Sequence, residues 1–332
     1  MNISVIIPVY NTNAVYLNAL LTSLLKLNKD NFEVVIVDDC STDKSTIDIF
    51  NQFKKFPNFN VIKNEKNGGV SFSRNAGIRA SKFEFLCFID SDDLVNVDLL
   101  NQVAFKDLDF DLALFKRKYI DNKTLVVNEN DSNLKIFENK VLFKDIFCAR
   151  SAPKEYKDYA LRGVRCKILK KDFLIKNKIS FDEELRQYED TIFIAELIKN
   201  EGKVLFFDNF SDFYRIDRKS LSHHFNKNYE NNFKLYFKKF SEKFSNNLDL
   251  MDYFYYSAFA TYMPLRSWVT FKKFRWVRGI KFIKEGIFVS NHSHIPEANN
   301  KLIKIKNKYA KKHYISLYFY LNFKHLLGAI FK

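Results

Sequence analysis

The chain has 332 residues, of which 47% are hydrophobic and 17% aromatic, including 36 Phe and 17 Tyr; this suits one large globular domain with an appendage, or two modest domains. Its formal net charge of +15 is unevenly spread, because residues 226–332 hold 20 of the 54 Lys and Arg but only 6 of the 39 Asp and Glu. No apolar run approaches the roughly 20 residues needed to span a bilayer, and Cys40, Cys87, Cys148 and Cys166 form no Cys-x-x-Cys pair, which sets aside a membrane-spanning protein, a zinc module and a dithiol redox enzyme.

The first residues, Met1-Asn2-Ile3-Ser4-Val5-Ile6-Ile7-Pro8, lead directly into a strand with no basic segment or cleavage site. That predicts no signal peptide and a cytoplasmic protein. Residues 3–9 read as a fully buried strand, followed by a helix whose apolar positions are Leu17, Leu20, Leu21, Leu24 and Leu25. A second buried strand, Val34-Val35-Ile36-Val37, ends in Asp38-Asp39, and Ser41-Thr42-Asp43 offers caps for a helix through Ile47 and Phe50. Strand Phe59–Ile62, helix Val70–Ala80 and strand Phe85–Ile89 continue the alternation. Residues 118–160 read as loops, Arg165–Ile175 and Thr191–Ile198 as helices, and Lys203–Phe207 as a strand.

This βαβ spacing predicts an α/β fold with a parallel, doubly wound sheet that collects ligands at its strand C-termini. The polar groups expected there are Tyr10-Asn11, Asp38-Asp39, Asn67-Gly68-Gly69 and Asp90-Ser91-Asp92-Asp93. A nicotinamide dehydrogenase is disfavoured, since Pro8-Val9-Tyr10-Asn11 stands where Gly-x-Gly-x-x-Gly would follow the first strand. The acidic run places three carboxylates within four positions, which repel one another unless a cation sits among them. Its alternative is a strand-to-helix turn in which Asp92 or Asp93 caps the next helix.

Taken in order, Val5-Ile6-Ile7-Pro8-Val9-Tyr10-Asn11, Val37-Asp38-Asp39-Cys40-Ser41-Thr42-Asp43, Asn67-Gly68-Gly69-Val70-Ser71-Phe72-Ser73-Arg74-Asn75, Asp90-Ser91-Asp92-Asp93, Tyr188-Glu189-Asp190 and Tyr214-Arg215 before Ser220-Leu221-Ser222 resemble the family 2 glycosyltransferases. The resemblance covers about residues 3–222 and implies a GT-A fold and an inverting sugar transfer from a nucleotide-sugar, expected to be a UDP-sugar. It implies Asp39 as reader of the base, with Asp38 shaping the turn and Pro8, Val9, Tyr10 and Asn11 as the neighbouring wall. Asn67, Gly68 and Gly69 would bring backbone close to the nucleotide. Arg74 would face the diphosphate or, alternatively, tie its helix to the strand carboxylates. Asp90 and Ser91 would meet the nucleotide, and Asp92 would ligate Mg²⁺ or Mn²⁺ bridging the phosphates, with Asp93 either supporting the metal or capping a helix.

Asp190 matches the family's general base, beside Glu189. Arg215 and Ser222 would lie on a loop over the diphosphate, where His223 or His224 could complete the metal shell. A sugar nucleotidyltransferase is the enzymatic alternative, but the Gly-rich, basic phosphate loop it needs after the first strand is missing.

Residues 1–225 are therefore expected to be the catalytic domain and 226–332 a basic, mainly helical region. Residues 271–284 interleave cations with aromatics, and 314–332 carry apolar residues with no acid. Both fit amphipathic helices on an anionic membrane surface, which would put a glycan or lipid-linked acceptor within reach on the inner face of the cytoplasmic membrane. The alternatives are a helical bundle packed on the catalytic domain or a nucleic-acid surface with stacking aromatics; nucleic acid is not the expected partner.

Overall fold

A computed structural model describes residues 1–127, 133–141, 145, 156, 158–216, 229–247 and 254. The chain divides into two compact units, Met1–Leu142 with Lys154–Lys238, and Phe143–Pro153 with Lys239–Lys332. In the first unit β1 (Ile3–Val9), α1 (Ala14–Leu24), β2 (Phe32–Asp38), α2 (Lys44–Phe53), β3 (Phe59–Lys63), α3 (Val70–Ala80) and β4 (Phe85–Phe88) follow the predicted alternation closely. All seven residues of β2 are buried, as expected of a strand covered on both faces. Alternate residues Ile3, Val5, Ile7 and Val9 join the core formed with Leu17, Leu20, Leu21 and Leu24 of α1. On the opposite face Ile6 meets α3 at Gly77, where an added Cβ would lie 2.3 Å from Ile6 Cγ2.

Side-chain caps set the helix starts. Asn13 Oδ1 accepts from the Val15 amide at 2.9 Å to open α1, and Asp43 Oδ2 accepts from the Thr46 amide at 3.0 Å to open α2. These caps hold the strand ends and the loops beyond them on one edge of the sheet.

The second half of this unit contains β5 (Leu94–Val95), α4 (Val97–Ala104), β6 (Leu112–Ile120), β7 (Ile136–Glu138), β8 (Ile168–Lys170), α5 (Lys171–Lys176), α6 (Glu189–Lys199) and β9 (Val204–Arg215). The strand order is β3-β2-β1-β4-β8-β6-β9-β5, with β7 paired to β9. Only the β3-β2-β1-β4 portion is uniformly parallel. β8 runs antiparallel to β4 and to β6, β9 is parallel to β6, and β5 is antiparallel to β9. The purely parallel sheet expected from the repeating units is thus corrected to a mixed one. Residues 165–170, expected to open a helix, instead lead into β8 because Ile168 and Leu169 bury fully between β4 and β6. The Cys166 amide joins them by donating to the Phe88 carbonyl at 2.7 Å.

β9 is more than twice its predicted length. Polar residues within it hid its extension, yet Asn209, Ser211 and Asp212 are all buried. Helix α7 (Tyr229–Phe244) begins in the first unit and ends in the second. In the second unit Phe240 stacks on Phe254 at 3.8 Å between ring centroids. Ser222, His223 and His224, the boundary expected near residue 225, and the basic segments 271–284 and 314–332 lie outside the described residues.

Candidate functional site

At the carboxyl ends of β1, β2 and β3 the sheet bonds continue, with the Asp39 amide donating to the Val9 carbonyl at 2.8 Å and the Asn64 amide to the Asp38 carbonyl at 2.9 Å, and side chains tie the loops beyond them. Asn11, held at φ +46°, accepts from the Thr42 and Asp43 amides with its Oδ1 at 2.8 and 3.0 Å, and its own amide donates to Ser41 Oγ at 3.1 Å. Asp38 Oδ1 accepts from the Ser41 amide at 2.7 Å and so closes the turn after β2. Pro8 and Val9 belong to the strand, while Tyr10 leaves it 52% exposed, presenting a ring at the edge. Beside it Ser91 Oγ and Thr12 Oγ1 share a hydrogen bond of 2.6 Å.

Asp39 is 3% exposed and its carboxylate is engaged by the protein itself. Oδ1 accepts from Asn64 Nδ2 at 2.8 Å and the Gly68 amide at 2.9 Å, and Oδ2 accepts from the Gly69 amide at 2.7 Å. Asn67 Nδ2 adds a bond to the Asp39 carbonyl at 3.2 Å. The two glycines answer to the same packing. A Cβ on Gly68 would collide with the Phe72 ring at 2.4 Å, and one on Gly69, whose φ is +84°, would lie 1.8 Å from Arg186 Nη1. The space their hydrogens leave is filled by Phe72 and Arg186.

Arg74 lies on α3 with its side chain 3% exposed. Its Nη1 donates to Asp190 Oδ1 at 2.6 Å and Glu189 Oε1 at 3.1 Å, and its Nη2 to Asp90 Oδ1 at 3.0 Å. Of the two roles expected for Arg74, the geometry supplies the tie between helix and carboxylates. The rest of the polar face of α3 is engaged in the same way. Ser73 Oγ receives Asn64 Nδ2 at 2.9 Å, Ser71 Oγ donates to the Leu185 carbonyl at 3.4 Å, and Asn75 bonds both the amide and the carbonyl of Phe181, at 3.0 and 2.9 Å. This helix holds the segment that brings Asp190 to the sheet edge.

A second arginine, Arg165, went unrecognised in the sequence because it falls in the stretch predicted as helix. Its Nη1 donates to Asp90 Oδ2 and to Asp93 Oδ2, each at 3.1 Å, and its guanidinium lies 4.3 Å from the Tyr214 ring centroid. Asp90 is thereby gripped on both oxygens. Burial would raise its carboxyl, but the charges of Arg165 and Arg74 hold it below the usual carboxylate range. Asp93 is 2% exposed and caps no helix, since Asn96 caps α4 by accepting from the Leu99 amide at 3.0 Å. Burial first, then the charges of Asp90 and Asp92, push Asp93 up to about 8 against the pull of Arg165.

Arg215 is the last residue of β9, 2% exposed, and not part of an open loop. Its amide donates to Asp93 Oδ1 at 2.8 Å, its Nε to the Asp92 carbonyl at 2.7 Å, and its Nη1 to the carbonyls of Asp121 and Thr124, both at 2.8 Å. These bonds fix the acidic turn from behind. Its Nη2 is buried with no hydrogen-bond partner among the described residues.

Asp190 opens α6 after Tyr188, which takes a left-handed φ of +68° and stacks on Tyr236 at 4.7 Å. Besides the Arg74 bond, Asp190 Oδ2 accepts from the Val164 amide at 3.2 Å. Gly163 adjoins that oxygen, and a Cβ there would meet nothing closer than Asp190 Oδ2 at 3.7 Å. Burial and the charge of Asp190 push the neighbouring Glu189 up to about 7, against the pull of Arg74.

A divalent cation can be tested against this donor set. Among the described residues no three His, Cys, Asp or Glu side chains form a ready-made metal cage. Asp92 is exposed, and among the described residues no neighbour's hydrogen bond engages its carboxylate. Partial desolvation and the charge of Asp90 raise its carboxyl. A carboxylate that no described neighbour engages fits the manner in which Mg²⁺ is held, by one or two carboxylates with substrate phosphates and water completing the shell.

The chain resembles proteins of known chemistry. It is 29% identical over 227 residues to the poly(ribitol-phosphate) beta-N-acetylglucosaminyltransferase TarS of Staphylococcus aureus, covering 66% of this chain and 36% of that protein. It is 30% identical over 227 residues to the poly(ribitol-phosphate) beta-glucosyltransferase of Bacillus spizizenii, covering 66% of this chain and 33% of that one. The matched region is thus about a third of each relative's length. The crystal structure of residues 1–349 of S. aureus TarS with UDP-GlcNAc superposes with a TM-score of 0.67 at 24% identity, covering 99% of this chain and 92% of that one. That likeness shows the expected GT-A fold. The family model described as glycosyl transferase family 2 matches residues 4–173, and the chain belongs to that family.

Proposed function

We propose that this chain transfers a sugar, with inversion, from a UDP-sugar to a hydroxyl group of a surface glycan or other cell-wall polymer. The observation that carries the reading is the Arg74 bridge, which holds Asp190 and Asp90 on one guanidinium at the carboxyl edge of the sheet. The nucleotide lies along Tyr10, the Asn67–Gly69 turn and Asp90, and Asp39 acts chiefly by holding that turn in shape. The relatives that act on poly(ribitol-phosphate), and the UDP-GlcNAc bound by the structural neighbour, support this donor and acceptor class.

In the reaction the acceptor oxygen attacks the anomeric carbon while its proton passes to Asp190. The bond from that carbon to the diphosphate oxygen breaks on the opposite side, and the nucleoside diphosphate leaves with the electron pair. Asp190 Oδ2 is the oxygen that takes the proton, because its bond from the Val164 amide, at 3.2 Å, is neutral and longer than the 2.6 Å bond by which the Arg74 guanidinium engages Oδ1. Arg74 sets the angle of the carboxylate and keeps it from turning away. Mg²⁺ or Mn²⁺ bound at Asp92 would offset the charge that develops on the departing diphosphate.

Asp190→Asn is expected to lower transfer by roughly 10²- to 10⁴-fold while UDP binding, measured by calorimetry, stays near the wild-type level. Asp92→Ala should remove the Mn²⁺-dependent part of UDP affinity. Full turnover by Asp190→Asn would take that residue out of the mechanism.

A further inference from the structure

Arg186 belongs to none of the motifs above, yet it stands at the junction between the glycine turn and the segment that bears Asp190. Its Nη1 donates to the Gly68 carbonyl at 2.7 Å and occupies the position that a side chain on Gly69 would need. The residue is exposed, and among the described residues no carboxylate pairs with it. Its neighbours differ. Arg74 is neutralised by three carboxylates and Arg165 by two, and both are largely buried. Arg215 is braced on backbone carbonyls behind the acidic turn.

A guanidinium carries five N–H donors in a planar fork. One of those on Arg186 is engaged by Gly68, which fixes the plane of the fork and leaves the other donors on an exposed edge. Elsewhere in the site Asp90, Glu189 and Asp190 surround Arg74, and Asp90 and Asp93 surround Arg165, so both of those guanidinium groups are already committed to acidic side chains. An anionic donor approaching such a cluster needs compensating positive charge.

We propose that Arg186 is a donor-binding residue whose free N–H groups contact the diphosphate of the nucleotide-sugar. This rests on the nucleotide-sugar reading of the site given above. It explains why Gly69 must lack a side chain, since any Cβ there would expel the guanidinium. It also links donor binding to the base through the chain, as Arg186 precedes Asp190 by only four residues.

The test compares UDP with uridine, which lacks the diphosphate, by calorimetry at fixed Mn²⁺ on the wild-type chain and on Arg186→Ala, Arg186→Gln and Arg186→Lys, with melting temperatures confirming that each is folded. Arg186→Ala and Arg186→Gln are expected to weaken UDP about 10-fold or more while changing uridine less than about 2-fold, and Arg186→Lys to recover part of the loss. Equal losses for UDP and uridine would mean that Arg186 only buttresses the glycine turn, and would overturn the proposal. Unchanged UDP affinity in Arg186→Ala would overturn it as well. If the wild-type chain bound neither compound, the nucleotide reading itself would fail, a result distinguishable because it precedes any variant.

Discussion

Glu189 gives the most direct electrostatic test at the level of single residues. Its folded pKa, raised from 4.5 to about 7 chiefly by burial and then by Asp190, means that the fold favours the protonated form. The stability this contributes is fully present below 4.5 and is lost as pH rises through about 7. Glu189→Gln, which stays neutral and still accepts from Arg74, should therefore be more stable than the wild type at pH 8 by roughly 1–3 kcal/mol, with the gap closing by about pH 5. Urea midpoints at the two pH values measure this. A gap independent of pH would show that the charge of Glu189 is not the cause. The carboxylates of this cluster were legible in the sequence because Asp90, Asp92 and Asp190 stood in recognisable motifs. Arg74 was legible with them, its tie to the strand carboxylates being one of its two expected roles, but Arg165 and Arg186 were not, since they lie in stretches whose spacing carries no chemical pattern.

Among the elements, α3 has the largest influence on the site. Its boundaries, Val70–Ala80, match the sequence prediction, but its polar side chains turn inward. Asn75 is 7% exposed and satisfies both the amide and the carbonyl of Phe181 as well as Glu183 Oε1. Asn75→Ala would leave those backbone groups buried and unpaired, a loss of about 2 kcal/mol. We expect lower stability in urea together with faster hydrogen exchange for amides 181–190 than for β1, β2 and β4. Uniform exchange across the sheet and this segment would refute the idea that α3 holds the Asp190 segment locally. Periodicity located α3 because one side of it packs on β1 at Gly77. It could not show what the polar side does, because partners such as Phe181, Leu185 and Asp190 lie 106 to 116 residues further along the chain.

For the whole molecule, the charge asymmetry is the property most open to experiment. Among the described residues no helix is long and apolar enough to cross a membrane. If the basic residues of 226–332 meet an anionic surface, the full chain should sediment with vesicles containing phosphatidylglycerol at low salt, be released at about 0.5 M salt, and ignore neutral phosphatidylcholine, because each Lys or Arg near such a surface adds about 1 kcal/mol that salt screens. Equal sedimentation with neutral vesicles would contradict an electrostatic attachment. The parallel β3-β2-β1-β4 half of the sheet, its helices and the strand ends that carry Asp39 and Asp90 were determined by the sequence alone, because apolar periodicity and turn residues act over a few neighbouring positions. The mixed half of the sheet, the burial of Asn209, Ser211 and Asp212 in β9, the grip of Arg165 on Asp90 and Asp93, and the seat of Arg186 on Gly69 were decided only by tertiary structure. Each depends on a partner distant in sequence, and a polar residue reads as exposed until the fold brings its partner to it.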